Sequence, residues 1–190
     1  MSEGYNVILA DPPWHYNNYA AKEPGMMHDR ARGPNKYYPT MTVEDIGGLS
    51  VPSANSSVLF MWATWPLLPE AFEVIRAWGF EYKTLAWVWV KANKGGLGFF
   101  TGMGYYTRAN SEPCLLAVKG KPDKPANRGI QALIYSAVRA HSKKPQDQYR
   151  KIEALYPSAR YLELFARRTR PGWDVWGNEV DSNVKLEVSE

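Results

Sequence analysis

The chain has 190 residues, 45% hydrophobic and 22% charged, which suits one well-buried domain and leaves too little for two independent catalytic domains. Its single Cys114 excludes an internal disulfide and a cysteine-built metal cluster. The net charge of +4 is unevenly placed, with −1 over residues 1–118, +9 over 119–170 and −4 beyond, so a polyanion such as nucleic acid is a candidate partner, against the alternative of a solvated basic surface.

Tyr5 to Ala10 reads as a short buried strand that stops at Asp11-Pro12-Pro13-Trp14, because proline removes a backbone donor and cannot continue a central ladder. Asp11 is thereby put at a strand's carboxyl end. Residues 14–40 are polar and interrupted by Gly and Pro, which predicts a long loop. Thr42 can cap a turn over Val43 to Ile46, and Ser57 to Trp62 supplies a second buried strand. A helix follows, with Pro66 near its start, Leu68, Phe72 and Ile75 on its apolar face and Gly79 at its exit. Tyr82 to Val90 is the next strand.

Residues 91–112 form a second predicted loop, containing Gly95-Gly96-Leu97-Gly98 and Gly102-Met103-Gly104. Neither glycine run ends in the Lys-Ser/Thr of a triphosphate loop or has the spacing of a dinucleotide fingerprint, which excludes ATPase and nicotinamide dehydrogenase readings. Pro113 to Lys119 is a strand, 119–145 a basic turn-rich loop, Gln146 to Leu155 a helix carrying Tyr149, Ile152 and Leu155 on one face, and Tyr161 to Ala166 a last strand. This alternation predicts an α/β fold with a sheet flanked by helices. One domain over 1–190 is expected, with a flexible tail over 181–190.

The eight Trp and twelve Tyr exceed what a simple core needs; they either stack on bases from the surface or fill the interior. No leader-like run follows Met1 and no stretch approaches about 18 consecutive apolar residues, so a soluble cytoplasmic protein with no membrane partner is expected. His15, His28 and His141 lack metal-ligand spacing, and no metal is expected. His141 either supports the nearby Lys144 loop, meets nucleic acid or is an ordinary hydrogen-bonded histidine.

Asp11-Pro12-Pro13-Trp14 assembles an acceptor carboxylate, two rigid units with free carbonyls and an indole face. That set fits the amino group of a purine: its two N–H groups can donate to Asp11 and the Pro12 carbonyl while Trp14 or Tyr16 holds the ring. Such acceptors stabilise the positive charge that grows on the nitrogen as it attacks an electrophilic methyl. Asp11 is then an acceptor and electrostatic stabiliser, not a nucleophile. The structural alternative is a capping Asp11, strand-ending prolines and a core Trp14.

Ala10-Asp11-Pro12-Pro13-Trp14 resembles the signature of the N6-adenine methyltransferases, the family that includes mRNA adenosine methyltransferases and their bacterial and phage relatives. The likeness continues through Asn35-Lys36-Tyr37-Tyr38, Leu59-Phe60-Met61-Trp62, Glu70-Ala71, Trp78-Gly79-Phe80, His141 to Pro145, Tyr161 to Arg167 and Gly172 to Glu179, and so covers nearly the whole chain. The resemblance implies a Rossmann-like, S-adenosylmethionine-dependent methyltransferase fold with a mostly parallel sheet, the catalytic strand preceding the main cofactor strand.

It also implies that Asp11, Pro12, Pro13 and Trp14 are catalytic and that Lys144, Phe165, Arg167, Asn178 and Glu179 face the cofactor, with Lys144 suited to its carboxylate and Asn178 to a ribose hydroxyl. Ala166 stands where the family often has glycine, and its Cβ can crowd a close approach to the cofactor. Tyr16, Lys36 and Tyr37 are expected at the flipped nucleotide, and Arg108, Arg139, Lys143 and Arg168 at phosphates. The expected reaction is methyl transfer to N6 of adenine in DNA, single-stranded or as a short duplex motif. RNA methylation and a noncatalytic nucleic-acid-binding subunit are the alternatives. The small size leaves a homodimer or an accessory subunit as ways to widen the DNA surface, and a phage-encoded enzyme would act in the host cytoplasm.

Overall fold

The computed structural model describes residues 4–15, 40–104, 106–139 and 143–186. Among these described residues, seven strands form one sheet: β1 (Tyr5–Ala10), β2 (Ser53–Trp62), β3 (Glu81–Ala92), β4 (Ser111–Lys119), β5 (Leu133–Ala137), β6 (Tyr161–Leu164) and β7 (Trp173–Trp176). Their order across the sheet is β5-β3-β4-β2-β1-β6-β7. The sheet is mostly parallel, and both antiparallel pairings involve β4, which runs against β2 and β3. The carboxyl ends of the other six strands and the amino end of β4 therefore share one edge of the sheet.

Among the described residues, three α-helices cover the two faces: α1 (Val43–Gly47), α2 (Leu68–Ala77) and α3 (Asp147–Leu155). The period-2 alternation of the strands divides the core accordingly. Ile8, Leu59, Met61, Leu115 and Leu162 pack under α1 and α2 with Ile46, Val74 and Ile75, while Val7, Leu9, Phe60, Trp62 and Trp87 pack against Tyr149 and Ile152 of α3. The tryptophan excess serves this core, since Trp14, Trp62, Trp78, Trp87, Trp89 and Trp173 are all buried and Phe60 stacks on Trp87.

Local signals explain the helix ends. Thr42 Oγ1 accepts from the Asp45 backbone while the Asp45 carboxylate accepts from the Thr42 backbone, a reciprocal cap for α1. Gly79, at φ 77°, ends α2 with its N–H on the Arg76 carbonyl and that of Phe80 on Ile75. The buried side of α2 is made by Ala71, Val74 and Ile75; Leu68 and Phe72, expected on that face, are only partly buried at its margin.

Four features depart from the sequence expectation, the first being β7, which follows the strand expected to be last. Strand β5 lies inside the basic loop expected over 119–145; its alternation is short and half exposed, but Ile134 enters the core and the strand pairs in parallel with Val88 to Ala92. Strands β3 and β4 extend into the loop expected over 91–112, leaving residues 93–110 between them. The segment expected as a flexible tail is tied down over its described part: Asn183 accepts from the Val175 backbone, Ser182 Oγ accepts from the Gly177 backbone, and Val184 and Leu186 pack against the core.

Candidate active site

The shared edge of the sheet collects the chemistry. Beyond β1, Asp11 donates its backbone N–H to the Leu164 carbonyl, the Trp14 N–H turns back to the Pro12 carbonyl at 2.9 Å, and the Met41 N–H reaches the Pro13 carbonyl at 3.0 Å. These bonds fold Asp-Pro-Pro-Trp into a rigid turn over the strand end. Pro12 is buried and its carbonyl retains a second lone pair. Trp14 is 5% exposed and donates its indole N–H to the Trp62 carbonyl, so it fills the core edge and presents no open face for stacking on a base. Burying the large indole between the β1 end and Met41 explains that placement.

The Asp11 carboxylate receives the Lys144 ammonium on both oxygens, at 2.7 and 2.9 Å. Lys144 is also 3.4 Å from Glu112, whose other oxygen is held by Lys91 at 2.5 Å. Four charges of alternating sign thus run Lys91, Glu112, Lys144, Asp11 from β3 through β4 to β1, with Lys144 over the Trp62 ring. Burial pushes the Asp11 carboxyl above the usual carboxylate range, Lys144 works against that shift, and the Glu112 charge adds to it. Burial also acts to raise Glu112, but the ammoniums of Lys144 and Lys91 outweigh it and hold this carboxyl below its ordinary value.

Sequence reasoning placed Lys144 on the cofactor side; the structure places it on the Asp11 carboxylate. Lys91 and Glu112 were missed. The available signal was a charged residue inside each of two otherwise buried strand segments, Trp89-Val90-Lys91-Ala92 and Glu112-Pro113-Cys114. A charge held there needs a partner.

Next to Asp11, the ends of β6 and β7 bring together the other expected cofactor residues. Phe165 adopts φ 61°, a left-handed conformation that few non-glycine residues take, and packs edge-on to Trp176 at 5.3 Å. Arg167 pairs with Glu179 at 2.7 Å, both side chains substantially exposed, and Asn178 is exposed beside them. Ala166 is buried, donating to the Trp176 carbonyl at 2.9 Å. A Cβ at Gly177 would lie 2.1 Å from the Ala166 carbonyl oxygen, so glycine is required on the β7 side of this close approach.

Behind β6, Glu163 accepts the Tyr149 hydroxyl on both oxygens, at 2.9 and 3.1 Å, and its pKa is pushed up to about 7, chiefly by burial. Arg168, expected at phosphates, lies over the Tyr149 ring at 5.7 Å. The other expected phosphate contacts remain at the surface: Arg108 and Lys143 are exposed, and the exposed Arg139 donates to the Lys144 carbonyl at 2.5 Å. Tyr16, Lys36, Tyr37 and His141 lie outside the described residues. Among the described residues, no three His, Cys, Asp or Glu side chains converge as a metal-ligating group.

An aspartate at the end of a parallel strand, followed by a pinned Pro-Pro-Trp turn, is the arrangement that the resemblance required. The MT-A70 family model matches residues 5–179. The chain belongs to the MT-A70 family. It is 34% identical over 196 aligned positions to the type II methyltransferase M.MunI of a Mycoplasma species, covering 97% of this chain and 81% of that protein. It is 31% identical to the N(6)-adenosine-methyltransferase MT-A70-like protein of Arabidopsis thaliana, covering 93% of this chain and 24% of that one. Its identity to the human N(6)-adenosine-methyltransferase catalytic subunit METTL3 is also 31%, over 93% of this chain and 28% of METTL3. The chain thus spans most of the first relative and only about a quarter of the other two.

Proposed function

We propose that this MT-A70 chain transfers a methyl group from S-adenosylmethionine to N6 of adenine, with DNA as the polynucleotide. The observation that carries the reading is the Asp11 carboxylate, sunk at the carboxyl end of β1 and followed by the rigid Pro12-Pro13 turn. The DNA assignment draws on the type II methyltransferase that this chain matches over 81% of that protein's length. RNA is the second reading, favoured by the likeness to the N(6)-adenosine-methyltransferases. The mostly parallel sheet, with its functional groups at the strands' carboxyl ends, supports a Rossmann-like methyltransferase fold in which β6 is the main cofactor strand.

The donor set at the strand ends suits S-adenosylmethionine. Asn178 and Glu179 can hydrogen-bond ribose hydroxyls, and Phe165 offers an apolar ring. The tight Ala166–Gly177 crossing keeps the β6 and β7 ends together, with Ala166 buried at the sheet edge. When bound, the cofactor supplies an electrophilic methyl group on a sulfonium.

The chain's own residues orient the acceptor. Asp11 and the second lone pair of the Pro12 carbonyl accept the two N6–H bonds and turn the nitrogen lone pair out of conjugation with the ring. As positive charge grows on N6, the buried carboxylate stabilises it in a medium of low dielectric. The raised pKa of Asp11 fits an acceptor that can also take up the proton released by the methylated amine. Pro12 and Pro13 fix the backbone so that little reorganisation is needed.

Incubation with labelled S-adenosylmethionine and matched single-stranded DNA, duplex DNA and RNA, with methylated nucleosides identified by mass spectrometry, tests the reading. N6-methyladenine in DNA is expected; label in RNA alone would replace the substrate assignment. Binding without transfer to any of the three would favour a noncatalytic subunit.

A further inference from the structure

Lys144 presents a difficulty for the reaction just proposed. Its ammonium occupies both Asp11 oxygens, the acceptors that an adenine amino group needs. Moving the ammonium off Asp11 is easier where a second carboxylate stands ready to receive it, since its side chain is only 9% exposed. Glu112 is such a carboxylate. Its Oε2 is buried, receives no well-formed hydrogen bond, and is only loosely paired with Lys144 Nζ at 3.4 Å.

We propose that Glu112 is a positioning residue whose loosely paired Oε2 is a second seat for the Lys144 ammonium, taken when the substrate amino group claims the Asp11 oxygens. Lys91 fixes this seat by holding the opposite oxygen, and the β3–β4 pairing of Trp89 with Glu112 keeps the carboxylate at a constant height above the sheet edge. The Trp62 ring, 5.5 Å from Lys144 Nζ, provides a face along which the ammonium stays stabilised. The charge count of the site is unchanged by the shift, because Lys144 exchanges one carboxylate for another. Glu112 never touches the reacting atoms; it acts through Lys144.

This inference rests on the adenine reading, but its test need not. The charged and titratable groups around Asp11 are Lys91 on β3, Glu112 and Cys114 on β4, Lys144 ahead of α3, Glu163 on β6 and Arg167 beyond it. Changing Glu112 and Lys91 shifts Lys144 in opposite directions. In Glu112→Gln the ammonium settles wholly on Asp11, so the Asp11 carboxyl should titrate at lower pH. In Lys91→Met the unneutralised Glu112 draws Lys144 away, and Asp11 should titrate at higher pH.

Carboxyl carbon-13 NMR of the whole protein, with Asp11→Asn identifying the resonance, reads both shifts without turnover. In parallel, Glu112→Gln should lower kcat roughly tenfold with S-adenosylmethionine affinity changed less than twofold, and Glu112→Asp should recover part of the loss. Removing a negative or a positive neighbour moves Asp11 in these two directions by Coulomb interaction alone, so the seat itself is read at Lys144. The Lys144 ammonium nitrogen-15 resonance should move when adenosine is added to the wild type and stay in place in Glu112→Gln. Methyl transfer by the wild type with no adenosine-dependent move of Lys144 overturns the second seat; a Glu112-dependent move in a protein that methylates no polynucleotide supports the seat and overturns the adenine reading instead.

Discussion

Two charge clusters stand at the same edge of the sheet and differ in what surrounds them. The chain from Lys91 to Asp11 sits over the middle strands, with Lys144 9% and Glu112 17% exposed, each charge facing one of opposite sign. The Arg167–Glu179 pair joins the loops after β6 and β7, and its side chains are 42% and 50% exposed. The first cluster is desolvated, so every partner removed leaves a costly charge behind; the second is screened by water. Burial, rather than pairing distance, is what separates the two clusters.

The hardest blow to that contrast is Asp11→Asn, which keeps the shape and removes the acceptor charge. Turnover should fall by about a thousandfold, roughly 4 kcal/mol of transition-state stabilisation, while cofactor affinity holds within a few fold. Turnover near wild type would remove Asp11 from the reaction. Lys144→Met should next cost about 3 kcal/mol of folding stability in denaturant titrations. That figure is the low end for breaking a buried pair, because Asp11 keeps 25% exposure. A stability loss under about 1 kcal/mol would place the cluster in the same class as Arg167–Glu179.

Glu163 sharpens the comparison from the other face of β6. Its folded pKa of about 7 lies above the ordinary value of 4.5, so the folded state binds this proton more tightly than the unfolded chain does. The resulting stabilisation is fully present below about pH 4.5 and is lost as pH rises through 7, by up to about 3 kcal/mol. Glu163→Gln should therefore raise the Tm at pH 8 relative to wild type and change it little at pH 5. Parallel melting curves across that range would show that the Tyr149 hydroxyl already satisfies the ionised form.

The long buried strands were legible in the sequence because Tyr5 to Ala10 and Ser57 to Trp62 are apolar runs ended by proline or a turn. Strands β5 and β7 were not: each buries few residues, and Trp173 to Trp176 lies close behind the glycine and proline that suggest a loop. The antiparallel sense of β4 was equally invisible, since periodicity says which face a residue takes and nothing about strand direction. In the site, the position of Asp11 at a strand's carboxyl end was legible from the proline stop, while its role was decided only by the family resemblance. Its partnership with Lys144 spans 133 residues and depends on folding, as does the burial of Trp14 under Met41.

The smallest expected effect tests the exposed end of the contrast. A double-mutant cycle of Arg167→Ala and Glu179→Ala should give a coupling of no more than about 1 kcal/mol to stability, shrinking further as salt is raised. The water that screens the pair also leaves it free to rearrange, so its contribution should appear in ligand binding: each single variant should weaken S-adenosylmethionine about three- to tenfold by calorimetry. Unchanged cofactor affinity would sever the pair from the site. A salt-independent coupling above about 2 kcal/mol would mean that the two loops form a rigid clamp, and the distinction by burial would fail at its exposed end.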